Sequence, residues 1–441
     1  MRYEVQTDCV KPTKHMFISL LVATQSVVPA NETFKYVNQG DFGFFINEYD
    51  ASYRAIPIAT HPFQFAFYNT TPNAYILGLR MAVAFSESVR RWVWDANRGK
   101  PVKENATLTF GRDGNLVLAD ADGKVAWQTG TANKGVVGLE LLENGNLVLY
   151  DSKKKFVWQS FDYPTDTLLV GQALKAPRST RLVSRLSVAQ PVNGPYSFVM
   201  EKQNWAMYYQ SPNSQKPLVY SRSKEFGNGN GTLASLEFFS TPENDWNHAF
   251  NTGLQSTMPG SQGGGSDTLT RPKYNTTYSF LRVDIDGNLR IYTYDDIVDN
   301  QAWEITFVLF DRDEGRASEC NLPRRCGSLG VCEDDQCVAC PKQQGLLGWS
   351  KTCAPPALLP CKAGSMVDYY KVDGVEHYTS EFNPGSGPMS LAQCKVVCTK
   401  DCKCLGFFYQ RKTSKCLLVP VLGTLVKVPN STYTGYIKIS K

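Results

Sequence analysis

Two stretches of this chain set polar side chains at every second position. Asp113, Asn115 and Val117 form one row, and Asn144, Asn146, Val148 and Tyr150 form another. In an extended strand a period of two puts such residues on one face. Each row therefore offers a ladder of amide, carboxylate or hydroxyl groups to whatever approaches it. That is the chemistry of reversible, hydrogen-bonded recognition. The residues for bond-breaking chemistry are sparse: four histidines (His15, His61, His248, His377), no G-x-S-x-G, no H-E-x-x-H and no Cys–His pair in a sensible context. The expectation is a non-enzyme with no cofactor and no metal.

The elements that must carry these rows repeat. Residues 113–127 read DGNLVLADADGKVAW and residues 144–158 read NGNLVLYDSKKKFVW, an offset of 31. Asn115 corresponds to Asn146, Val117 to Val148 and Trp127 to Trp158. Each copy reads as a Gly-containing turn, an alternating strand, a second turn and a strand ending in Trp, which is a repeated β-hairpin. A degenerate third unit ends at Trp92-Val93-Trp94, with Trp94 lying 33 positions before Trp127. Three such units point to a pseudo-threefold β-prism. Its bland reading is that the two Asn serve their turns while Val117, Val148 and the Trp residues fill the core.

Composition bounds the rest. At 441 residues the chain is long enough for two to four domains, and its high aromatic content without sustained helical periodicity makes it mostly β. A net charge of +5 spread along the chain, with Lys153–Lys155 at a hairpin tip, argues against a nucleic-acid partner. Twelve of thirteen cysteines fall between Cys320 and Cys416. That clustering implies disulfide-stapled modules made in an oxidising compartment. Six N-x-Ser/Thr acceptors agree with secretion: Asn31, Asn69, Asn105, Asn230, Asn275 and Asn430. Phe17–Ala23 reads as a short signal-peptide core, with Met16 as a candidate start and cleavage between Ala23 and Ala30. No run of eighteen apolar residues exists, so no membrane span is expected.

Beyond the repeats, strand signals continue at Tyr196–Met200, Ala206–Gln210 and Leu233–Phe239, and Asp284-x-Asp286-x-Asn288-x-Arg290-x-Tyr292 echoes the opening unit. A second, divergent copy of the same fold is the economical reading. The glycine clusters 227–231 and 260–265 match no phosphate-binding pattern and read as loops. Near the end, Ser390–Cys398 is a candidate helix.

Trp94-Asp95-Ala96-Asn97-Arg98, the two GNLVL strings and Gln159 through Leu169 (QSFDYPTDTLL) resemble the bulb-type, snowdrop-like lectin domain of plant S-locus glycoproteins. The whole chain after residue 30 resembles plant epidermis-specific secreted glycoproteins and the ectodomains of lectin-type receptor kinases. That resemblance implies a leader over 1–29, a bulb-type lectin β-prism over 30–175 and a second lectin-like S-locus domain over 176–318. An EGF-like module over 319–356 and an α+β PAN/apple module over 357–441 would follow. It further implies the bridges Cys320–Cys332, Cys326–Cys337, Cys340–Cys353, Cys394–Cys416 and Cys398–Cys404, leaving Cys361 with Cys402. Disulfides rather than zinc then account for Cys337-x-x-Cys340. Asp311-x-Asp313-Glu314 looks like a calcium-binding EGF opening, but the five residues Gly315–Glu319 displace it from Cys320. Asp162 and Asp166 read as turn caps in the QSFDYPTDTLL loop.

Snowdrop-type lectins grip mannose with Gln-x-Asp-x-Asn-x-Val-x-Tyr: the polar groups hold vicinal hydroxyls and Val meets the apolar sugar face. Here the first copy has Gly111 and Ala119 at the ends and keeps Asp113, Asn115 and Val117. The second has Leu142 for Gln and Asn144 for Asp, and the late echo has Arg290 for Val. Each lost hydrogen bond removes about 0.5–1.5 kcal/mol, so two lost contacts weaken a site by about 10–100-fold. The expectation is a secreted, non-catalytic glycoprotein of the cell wall with weak, degenerate binding of mannose-type glycans. Competing with it are a receptor-like module that engages extracellular proteins and forms a homodimer, and a structural protein of the epidermal wall.

Overall fold

The computed structural model describes residues 27–82, 89–227, 231–243, 250–259, 264–294, 303–313, 315–361 and 367–441. The leader up to residue 26, the acceptor Asn230, Glu314 and most of both glycine clusters lie outside the described residues.

Alternating sequence becomes sheet throughout. In the strand Leu116–Ala119 the side chains of Leu116 and Leu118 are buried while Val117 and Ala119 are half-exposed. Three sheets assemble from the first part of the chain. One holds Phe34–Val37, Thr107–Phe110, Leu116–Ala119 and Val125–Gln128; a second holds Ser52–Thr60, Phe63–Asn69, Ile76–Met81 and Arg91–Asp95; the third, three-stranded, holds Val136–Leu141, Leu147–Asp151 and Phe156–Gln159. Their inner faces share one core, and each sheet sends one Trp to its axis. Trp94, Trp127 and Trp158 meet edge-to-face, with ring centroids 5.9, 6.4 and 5.8 Å apart, the arrangement that aromatic quadrupoles favour.

Three further four-stranded sheets, built from Thr167–Val308, repeat the architecture around a second core. The division falls earlier than the sequence implies. Thr167–Leu169 pairs with Ser279–Val283, and Ala173–Lys175 pairs with Ser235–Pro242. Residues 167–175 thus belong by pairing to the second prism and not to the first. The turn glycines recur: Gly114, Gly145 and Gly287 all hold positive φ, and a Cβ on Gly287 would lie 2.6 Å from Tyr196 Cδ1.

A buried polar seam joins the prisms. Arg282 of the second prism reaches Glu48 of the first at 2.7 Å and donates to Thr167 Oγ1 and to the Trp92 carbonyl. Arg98 lies 2.8 Å from both Asp95 and Asp166. Arg185 donates to Tyr68 Oη (3.0 Å), which donates to Asp95 Oδ1 (2.8 Å). Burial alone would raise the Asp166 carboxyl, but Arg98 and Arg282 outweigh it and hold it below the ordinary carboxylate range.

The cystine-rich segments are fused where the resemblance implies two modules. Leu329–Glu333 runs parallel to Gly423–Lys427, so one five-stranded sheet draws on both 319–356 and 357–441. Six bridges staple this region: Cys320–Cys332, Cys326–Cys337, Cys340–Cys353, Cys361–Cys402, Cys394–Cys416 and Cys398–Cys404. The helix Leu391–Lys400 starts with a capping box in which Ser390 and Gln393 exchange side-chain bonds, and it buries Cys394 and Cys398.

His377 is buried at the end of this sheet's edge strand Val375–His377, with Nε2 3.0 Å from the Val421 carbonyl and Nδ1 2.7 Å from Thr379 Oγ1. Burial lowers its pKa from 6.5 to about 4. The unfolded chain then takes up a proton below pH 6.5 that the folded chain refuses until about pH 4. Stability should be lost as pH falls through that window, by about 3 kcal/mol. The stability difference between wild type and His377→Gln, from denaturant melts at pH 7 and pH 4, should change by that amount. An unchanged difference would refute the assignment.

Candidate functional site

Each of the two rows runs along the face of its strand opposite the core-facing Leu116, Leu118, Leu147 and Leu149. Asp113 and Asn144 are exposed at the start of their rows. Each uses Oδ1 to accept the backbone N–H two residues on, at 3.1 Å. The central asparagines are turned inward. Asn115 accepts from Thr129 Oγ1 and the Thr131 N–H, both at 3.0 Å, and donates to Gln128 Oε1 at 2.9 Å. Asn146 repeats the pattern: it accepts from Ser160 Oγ (3.3 Å) and the Phe161 N–H (3.2 Å), and donates to Gln159 Oε1 at 2.9 Å. Both acceptor positions of each Oδ1 are filled from within the chain.

The remaining members are no more available. Val148 is fully buried, and Val117 is half-buried on its own strand. Tyr150 lies against the Gly138 backbone, where a Cβ would come 2.4 Å from its hydroxyl, and the Lys154 ammonium sits 3.7 Å above its ring. Asn144 borders a small hollow with Phe63, Leu169 and Tyr278.

In the late echo the chain fills its own row. Arg290 replaces the apolar residue and reaches Asp284 and Asp286, each at 2.7 Å, while Tyr292 Oη donates to Asp284 Oδ2 at 2.8 Å. Burial raises the Asp284 carboxyl despite Arg282 and Arg290 beside it. Asn288 is again a clamp, donating to the Phe310 carbonyl (2.7 Å) and accepting from its N–H (3.1 Å).

The loop carboxylates divide. Asp162 accepts from Gln159 Nε2 at 3.0 Å and pairs with Arg178, while Asp166 belongs to the buried seam. That seam was not read from the sequence. The Gln128–Gln159 pairing with the two asparagines had a signal, since Gln follows Trp in both repeats. Among the sequons, Asn31, Asn105, Asn275 and Asn430 are exposed. Asn69 is only 9% exposed, at a strand end pinned by Arg185 on Thr70 and by Thr71 on the Ala189 carbonyl. A glycan there would need the junction to open.

Comparison with known proteins agrees with the prism. Residues 91–189 match the D-mannose binding lectin family. EP1-like glycoprotein 2 of Arabidopsis thaliana is 48% identical over 96% of this chain and 98% of its own length. The chain belongs to the EP1-like glycoproteins. The epidermis-specific secreted glycoprotein EP1 of Daucus carota is 54% identical over 78% of this chain and 92% of its own length. A G-type lectin S-receptor-like serine/threonine-protein kinase of Arabidopsis thaliana is 25% identical over 79% of this chain, which covers 39% of that protein. This EP1-like chain is therefore a secreted glycoprotein carrying a bulb-type lectin domain. Among its described residues no helix is long and apolar enough to cross a membrane.

An inward clamp and an outward ligand group respond differently to truncation. Asn146→Ala should destabilise the protein by about 1–3 kcal/mol by orphaning Gln159 and the Phe161 N–H. Asn144→Ala, at the exposed turn, should cost less than about 1 kcal/mol. Denaturant melts of the two variants check this, and equal costs would contradict the clamp.

Proposed function

We propose that this EP1-like glycoprotein is a non-catalytic recognition protein of the extracellular space whose GNLVL strands have given up mannose. The observation that carries the reading is the filling of both Oδ1 acceptor positions of Asn115 and of Asn146 by the chain's own Thr, Ser and backbone groups. A sugar hydroxyl entering either row would have to displace bonds that hold the hairpin. The exchange gains about nothing and loses packing. The third row is occupied more firmly, because Arg290 pairs with both carboxylates that would otherwise seek hydroxyl donors. The weak mannose binding anticipated from the degenerate pattern is accordingly reduced to none at these three rows. The scaffold remains a recognition surface for glycans at other positions or for extracellular proteins.

Titration of the full secreted chain with methyl α-mannoside and with mannotriose, followed by calorimetry and by chemical-shift changes at the three rows, is the direct test. The expected outcome is no saturable binding up to millimolar sugar. Saturable binding that Asn144→Ala or Tyr150→Phe abolishes, without lowering stability, would overturn the proposal and restore the mannose site.

A further inference from the structure

The end of the first prism that abuts the second holds a cleft that none of the asparagine rows reaches. Trp94, Trp127 and Trp158 form its floor, where it encloses about 440 Å³. Past Tyr163 and Pro164, which it shares with its neighbour, it continues into an adjoining hollow of about 610 Å³. Each volume falls within the range that holds a small ligand.

Tyr163 marks the boundary between the hollows. Its ring lies 15° from the plane of Trp158 with centroids 5.6 Å apart, yet the residue is 54% exposed. Its backbone carbonyl accepts from Trp94 Nε1 at 2.8 Å, which ties this segment to the Trp floor. One face of the ring is thus stacked while the residue as a whole stays open to solvent. Fixed, amphipathic aromatic surface of this kind suits the flat C–H face of a sugar ring and loses little entropy on binding.

The charges decide which sugar. Arg98 is tied to Asp95 and Asp166, and Arg178 to Asp162 at 3.1 Å, so these charges are balanced locally. Two cations remain. Arg181 lines the first hollow and Lys134 the second; both are exposed, and among the described residues neither has an ionic partner. A neutral hydroxyl can accept a hydrogen bond from either, whereas a carboxylate also balances the charge and gains an ion pair in each hollow.

We infer that this cleft binds an acidic glycan, an oligosaccharide with carboxylates on more than one ring, through Trp158 and Tyr163 beneath the sugar and Arg181 and Lys134 on its carboxylates. The site is separate from the three rows, so it stands whether or not mannose binds there. The test is calorimetric titration of the full secreted chain with an α-1,4-linked trigalacturonate, its methyl ester and mannotriose. Saturable binding of the trigalacturonate is expected. The methyl ester and the double variant Lys134→Ala/Arg181→Ala should each bind at least about tenfold more weakly, the equivalent of one charge-assisted bond. Tyr163→Ala should weaken binding comparably, and Asn144→Ala should leave it unchanged. Equal binding of the methyl ester or mannotriose would overturn the inference. So would an unaltered affinity in a double variant with unchanged thermal midpoint, or no saturable binding at millimolar trigalacturonate.

Discussion

The mutual contact of Trp94, Trp127 and Trp158 is the constraint from which the rest of the first prism follows. Here three sheets converge on one axis by each delivering a Trp to it, and the three indoles pack edge-to-face with one another. Once the inner faces are committed to Trp and Leu, the period of two leaves polar side chains only the outer faces and the ends. Anything this protein recognises through the first prism must be met there.

The outer faces carry a conflict that the asparagines resolve. A hairpin whose third strand ends in Trp-Gln must turn sharply to leave the sheet, and that turn exposes backbone N–H groups that need acceptors. Asn115 and Asn146 supply them, at Thr131 and Phe161 respectively, and the Gln after each Trp completes the clamp. A side chain that closes a turn cannot also be free for a ligand. The late echo reaches the same end by another route, since Arg290 satisfies its neighbouring carboxylates internally.

How much of this could be read from the chain depends on sequence distance. The repeat, its turns and its Trp residues were legible because period and spacing are local properties. Asn115 and Asn146 were legible as positions but not as clamps, because their partners lie 14 to 16 residues downstream in what reads as loop. The seam was invisible: Arg282 and Glu48 are 234 residues apart, and a single Arg on a strand looks like any solvated cation. The same distance hid the boundary between prisms, since Thr167–Leu169 carries no mark that its partner is Ser279–Val283. Nor does the Asn69 sequon show that its asparagine is packed at the junction, 9% exposed.

The junction is also where repetition stops dictating the surface. Along the sheets the repeated positions carry the same residue types, Asn115 and Asn146, Val117 and Val148, Trp127 and Trp158. At the prism end the three indoles are joined by residues with no counterpart: Tyr163 and Pro164 from the linking loop, and Ser179, Arg181 and Asn193 from the second prism. The seam ties that composite surface together through Arg98, Asp95 and Asp166, whose burial makes breaking any one member costly. A concave, preorganised surface with unbalanced charge can therefore diverge without loosening the hairpins. In this fold the second prism does more than lengthen the chain, because it converts the blunt end of the first into a walled cleft.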